Sequence, residues 1–199
     1  MHGFLNVGDV IEMSVVNLNM TQGASLPNLS ATFKSFPATT MQLSAPLLPN
    51  GLPKVTAGAN ADNRRNFVWL PYHPGFLTLV PFGNMPVFTG WMSGCWIALV
   101  NIGGRAYVLH VGTDTAPTTA NTINVKNAIK IAIGTKAVTM VKAWQPASGT
   151  GQALACVASD RSFHDYSMQT TPNPAGGPMG LKVTSINNIP GKNGLPQGY

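Results

Sequence analysis

Apolar residues alternate with a period of two along most of this chain and fall near a 3.6-residue period in one stretch, which separates strands from a helix. Strand-like stretches run over 8–17, 66–70, 76–82, 86–89, 95–102, 105–111, 137–144, 152–158 and 180–186. A shorter one lies at 31–36, and 152–158 also reads as the start of a helix. The best helix runs over 121–133, with Asn121 as N-cap and Gly134 just past the end. Its spacing puts Ile123, Val125, Ala128, Ile129, Ala132 and Ile133 on a buried side, with Lys126 and Lys130 in solvent. Residues 18–65 are poor in pattern, holding five prolines, the turn signal Asn50-Gly51 and a polar run at 58–63. Most of that stretch is predicted to be ordered loop, which at such length is often functional. The end of the chain, 190–199, is predicted to be loose. About eight strands against one or two helices favour sheet packed on sheet, with helices at the periphery.

The strongest local signal is the pair of runs joined by Gly103-Gly104. Two-residue hairpin turns need positive φ, which glycine adopts without strain. With those glycines as the turn, Ile102 faces Arg105, Ile97 faces His110 and Cys95 faces Gly112. Cys95, Ile97 and His110 then share one face, and Cys95 and His110 are diagonal cross-strand neighbours. Slipping the register by one residue would separate them. Both faces are apolar: Trp96, Ala98, Val100, Ile102, Tyr107, Leu109 and Val111 on one, Ile97, Leu99 and Val108 on the other. That predicts a hairpin central in a sheet and covered on both sides.

Composition narrows the picture. The 199 residues suit one domain, 1–199, and at 44% hydrophobic they exclude general disorder. Only 9% are charged, and the net charge of +6 reflects scarce acids more than abundant bases. Arg64-Arg65 is the one adjacent basic pair, so a nucleic-acid partner is not expected. No apolar run reaches the ~18–20 residues that cross a bilayer. Residues 1–10 lack a basic segment followed by an apolar one, so export is expected to proceed without a conventional secretory signal. Two cysteines, Cys95 and Cys156, allow a single bridge at most, and the four histidines lack metal-ligand spacing. No metal or cofactor is expected.

A thiol beside an imidazole is the minimum for a cysteine nucleophile with a general base. A neighbouring imidazolium would also lower the thiol pKa and stabilise the thiolate. Ser93-Gly94 give a tight approach to Cys95, and backbone N–H groups there, Cys95's own included, can form an oxyanion hole. A third group must orient His110. Thr89, six residues before Cys95, is the candidate, by hydroxyl or carbonyl, with Asp114 as the other choice. A strand cysteine is more often a small buried hydrophobe, and Cys156, between alanines, fits that description better. His73 and His164 sit in turn-like surroundings and read as surface residues, although His73 beside Tyr72 can line a cleft.

Thr89, then Met92-Ser93-Gly94-Cys95, then His110 on the next strand resembles the Thr…Ser-Gly-Cys…His arrangement of bacterial glutamine deamidases. That group includes the catalytic domain of cytotoxic necrotizing factors, the chemotaxis receptor deamidases and Burkholderia lethal factor. The motif there often reads Leu-Ser-Gly-Cys, against Met92 here, and the resemblance covers about 25 residues. A compact stand-alone chain is most similar to lethal factor. The resemblance implies an α/β fold of the α+β kind, a sandwich of two mixed β-sheets surrounded by a few helices and long loops. It implies a monomeric, toxin-like enzyme with Cys95 as nucleophile, His110 as base and Thr89 as its orienting partner, working without cofactor. The implied partner is a host protein carrying the target glutamine, reached as a secreted bacterial effector in the host cytoplasm. Lethal factor points to a translation-initiation RNA helicase, the necrotizing factors to Rho-family GTPases. Two other readings of the same residues stand: a transglutaminase or peptidase, and a non-catalytic β-sandwich binding module with Cys95 in its core.

Overall fold

A computed structural model describes residues 5–12, 23–44, 52–57, 66–90, 92, 94–114, 119–145, 153–176, 179–190 and 193–194. Alternation along the chain produces two mixed sheets. The larger runs, in spatial order, β1 (Val10–Glu12), β13 (Gly180–Ile189), β12 (Phe163–Thr171), β11 (Ala153–Val157), β7 (Val87–Thr89), β5 (Asn66–Trp69), β3 (Thr40–Ser44) and β4 (Lys54–Ala57). The smaller runs β10 (Thr139–Trp144), β8 (Trp96–Ile102), β9 (Arg105–Val111), β6 (Leu77–Pro81) and β2 (Phe33–Ser35). Each contains one parallel pair, β5 with β7 and β2 with β6.

The sheets pack face to face. Val68, Val87, Ala155, Val157 and Phe163 of the larger sheet meet Val80, Ile97, Leu99 and Val108 of the smaller one. The other face of the smaller sheet is covered by α1 (Ala120–Gly134), whose Val125, Ile129 and Ala132 pack on Trp96, Ala98, Val100 and Leu109. The far face of the larger sheet carries its own cluster, including Phe67, Phe88, Cys156 and Tyr166. The result is a β-rich sandwich with α1 as the one helix among the described residues, against the few helices expected.

Several elements differ from the sequence reading. Within 18–65, β3 and β4 form an antiparallel pair with Leu43 opposite Val55; the alternating Met41 and Leu43 carry that strand despite the prolines around it. Residues 153–157 form the strand expected there, which removes the alternative of a helix start. β12 escaped notice because its inner positions after Phe163, namely Asp165, Ser167 and Gln169, are polar, while Tyr166 and Met168 pack on the outer face. Its presence overturns the surface reading of His164, which is buried on it. His73 is half-buried and stacked on Phe36.

The helix begins one residue earlier, capped by the Thr119 hydroxyl, which accepts from the Thr122 amide. Gly134 is its last residue rather than the one beyond. Thr122, Val125, Ile129 and Ala132 define its buried stripe, so Ile123, about 100° round the axis from Thr122, is 46% exposed. Residues 13–17, the Asn50-Gly51 turn, the 58–63 run and most of the chain end lie outside the described residues.

Candidate active site

The β8–β9 hairpin has the register its glycines dictate. Gly103 and Gly104 both take positive φ, +56° and +78°, and the pairs run from Ile102–Arg105 to Ile97–His110 and Trp96–Val111. Cys95 lies just before β8. Its side chain packs with Ile97, Leu99 and Val108 between the sheets, while Trp96, Ala98, Leu109 and Val111 point to α1. His110 follows Val108 by two residues and so lies on the inter-sheet face.

Thr89 reaches this point from the opposite sheet. It ends β7, and its Oγ1 lies 2.6 Å from His110 Nδ1, a short hydrogen bond across the sandwich. Of the two modes open to Thr89, the hydroxyl is the one in contact. Asp114 instead donates its amide to the Thr122 hydroxyl. Cys156 lies on the far face of the larger sheet, so the possible bridge to Cys95 does not form. Ser93 lies outside the described residues. Gly94 has φ +131°, and its carbonyl accepts from Gln145 Nε2 at 3.1 Å.

Sequence reasoning missed the residues that close the site. The Tyr72 ring stands 5.2 Å from the His110 ring, centroid to centroid, and its hydroxyl donates to the Thr113 carbonyl at 2.9 Å. The Cys95 thiol also donates to that carbonyl, at 3.5 Å, and accepts from the Thr113 hydroxyl at 3.6 Å. Two features hold Tyr72 in place. Thr78, which pairs with His110 from β6, donates its hydroxyl to the Pro71 carbonyl at 2.5 Å. The turn after Tyr72 is stitched to the end of β9 by Gly75 N–H to Gly112 O and Gly112 N–H to Phe76 O, at 2.8 and 2.9 Å. The approach is so close that a Cβ on Gly112 would lie 2.0 Å from the His73 carbonyl oxygen. The available signal was the Pro-Tyr-His-Pro-Gly turn at 71–75; that it folds over the Cys95 face follows only from the β6–β9 pairing.

This chain matches no family model, no curated protein and no solved structure. The likeness to glutamine deamidases therefore stands on Thr89, Cys95 and His110 themselves, and the chemistry is argued from their surroundings.

Thr89 and His110 have no exposed surface, and Cys95 is 3% exposed. Burial, helped by nearby His73, pushes His110 down from 6.5 to about 3, so the imidazole is neutral. This corrects the expected imidazolium: His110 here can accept a proton, but it does not hold a preformed ion pair with the thiol. Its Nδ1 is engaged by Thr89, while its Nε2, among the described residues, makes no hydrogen bond. When Nδ1–H donates to the Thr89 hydroxyl, Nε2 presents its lone pair, the tautomer a general base needs. The Tyr72 phenol is pushed up by burial and then by Cys95 and Asp114, so it stays a donor. Among the described residues no three His, Cys, Asp or Glu side chains gather as a metal site.

Proposed function

We propose that this protein is a cysteine-dependent hydrolase that deamidates a glutamine side chain of a host protein to glutamate. The observation that carries the reading is the 2.6 Å Thr89–His110 hydrogen bond, which fixes an imidazole with its second nitrogen unengaged on the sheet face that holds Cys95. A buried nitrogen without a partner costs about 1–3 kcal/mol, a cost that a proton-transfer role explains.

In the reaction, His110 Nε2 takes the thiol proton and Sγ adds to the carboxamide carbon. The carbonyl electron pair moves to oxygen, where backbone N–H groups of the Gly94–Cys95 segment would receive it. Nε2–H then protonates the leaving nitrogen, ammonia departs and a thioester remains. Water attacks the thioester as Nε2 takes its proton; the thiolate leaves and is reprotonated, and glutamate is released. Every proton passes through one imidazole nitrogen. Thr89 holds the other and thereby sets the tautomer.

By resemblance, the target class is a host translation factor of the RNA-helicase type, with a Rho-family GTPase as the second choice. Such an enzyme is toxin-like, and recognition comes from docking a folded protein through the loops within 18–65, 71–75 and 112–120. The test is intact mass and peptide mapping of candidate host proteins after incubation. Conversion of one glutamine to glutamate with release of ammonia supports the reading, and amine incorporation that outpaces hydrolysis moves it to a transglutaminase. The near-complete burial of all three side chains favours a second reading, a non-catalytic sandwich module in which Cys95 is core. A Cys95 that resists every thiol reagent under native conditions would establish that module.

A further inference from the structure

The Thr113 carbonyl stands where three requirements meet. It lies 3.5 Å from the nucleophilic sulfur, it accepts the thiol proton, and it accepts the Tyr72 hydroxyl. A carbonyl has two lone pairs, and both are taken by groups that a substrate would displace. Tyr72 is half-buried, and its ring stands 5.2 Å from that of His110, whose Nε2 makes no hydrogen bond among the described residues. The closed arrangement therefore parks the thiol proton on a backbone oxygen and sets a phenol beside the base.

We infer that the Thr113 carbonyl is the acceptor that reads the substrate's amide N–H, and that Tyr72 is the gate occupying it until a carboxamide arrives. The inference rests on the deamidase reading for its natural substrate, although its chemistry is narrower. A primary carboxamide brings two N–H donors on the atom next to the carbon under attack. One of them replaces the Tyr72 hydroxyl on Thr113 O, the phenol swings out, and the thiol turns its proton toward Nε2. The product carboxylate has no N–H to offer and sets a negative oxygen against the carbonyl oxygen. The same acceptor that favours glutamine thus expels glutamate, and Tyr72 closes behind it. A site built to bond an N–H rejects an analogue lacking it, because the buried acceptor is then left unpaired.

Small alkylating reagents test this without a protein substrate. Iodoacetamide, methyl iodoacetate and iodoacetate carry a primary amide, a neutral ester and a carboxylate on the same reactive carbon. Each forms an S–C bond at the thiol and expels iodide, while the thiol proton passes to His110 or to solvent. Rates at Cys95, followed by peptide mapping that separates it from Cys156, are divided by the rates of the same reagents with N-acetylcysteine. The expected result is a preference for iodoacetamide over methyl iodoacetate of about five- to tenfold, the worth of one hydrogen bond. The preference over iodoacetate should be larger. Tyr72→Phe, which keeps the ring and loses the hydroxyl, should raise the Cys95 rate about fivefold with all three reagents while retaining the amide preference.

Equal normalised rates for amide and ester in the unaltered protein overturn the role of Thr113, and that arm needs no variant. A Cys95 rate unchanged or lowered in a Tyr72→Phe protein of normal unfolding midpoint overturns the gate. If no host protein is deamidated while the amide preference persists, the glutamine reading falls and the amide-reading site stands. If deamidation proceeds without the preference, Thr113 falls alone.

Discussion

Among the described residues two cysteines have a histidine on the neighbouring strand, Cys156 in the larger sheet and Cys95 just before β8 in the smaller. In the larger sheet Cys156 and His164 are direct cross-strand partners; in the smaller, His110 pairs with Ile97, two residues after Cys95. By strand geometry alone the first pair is the closer. Yet Cys156 lies mid-strand in β11, bonded to β12 on one side and β7 on the other, and opposite Phe88. Burial, reinforced by Asp160, pushes its thiol far up. His164 Nε2 lies 2.8 Å from the Ser162 hydroxyl, which donates to Asp160 at 2.5 Å; that nitrogen is a donor occupied in holding a turn. Cys95 precedes its strand, after a glycine at φ +131°, and His110 has one nitrogen held by Thr89 and the other without a hydrogen bond among the described residues. Proximity of a thiol and an imidazole is common currency in a sheet; what distinguishes the second pair is an irregular backbone at the thiol and an orienting partner on one ring nitrogen.

The contrast is broken or sharpened most strongly at the thiols. Cys95→Ser should reduce deamidation to background with little change in unfolding midpoint, whereas Cys156→Ser should leave turnover intact. Ammonia release and glutamine-to-glutamate conversion read both, and an active Cys95→Ser protein would reverse the assignment. The bases come next. His110→Ala should lower kcat by about 10²–10⁴-fold, the range for a lost acid–base group, while His164→Ala should leave the turnover of the folded protein unchanged. Thr89→Val leaves the imidazole present but unoriented and its Nδ1 buried without a partner. It should cost about 1–3 kcal/mol in chemical denaturation and lower kcat by less than His110→Ala does.

The last test is the pH dependence. His110 is held near pKa 3 in the fold against 6.5 in the open chain, so between those values the unfolded state binds the extra proton. Stability is full above pH 6.5 and is lost as pH falls toward 3, by at most about 1.4 kcal/mol per pH unit from this group. Denaturant midpoints of the native protein and of His110→Asn across that window should converge at acid pH; parallel curves would mean that His110 is not buried as a neutral ring.

The hairpin was legible because two adjacent glycines fix a turn and period two then fixes every face; Ile97 opposite His110 followed by arithmetic. Thr89 was legible as a candidate, though not in its mode of contact, because its distance from Cys95 in the chain says nothing about which sheet it joins. β12 and β3 were lost for opposite reasons, one disguised by polar inner positions and the other by surrounding prolines. Ile123 was misplaced because six candidate apolar positions exceed what one stripe of α1 can bury, and packing selected the stripe through Thr122. Tyr72 and Thr113 lie 41 residues apart and meet only once β6 pairs with β9.

The contact at Gly112 also bears on how other chains of this kind can be recognised. With the His73 carbonyl oxygen 2.0 Å from where a side chain would begin, position 112 admits glycine alone while the 71–76 turn keeps its pose. The spacing Thr-x5-Cys-x14-His-x-Gly is therefore a stricter fingerprint than the threonine, cysteine and histidine by themselves. A sequence that preserves the threonine, cysteine and histidine but places any larger residue two positions after the histidine cannot seat this turn. It would carry the same three residues with the tyrosine beside them displaced or absent, a thiol open to whatever solute arrives.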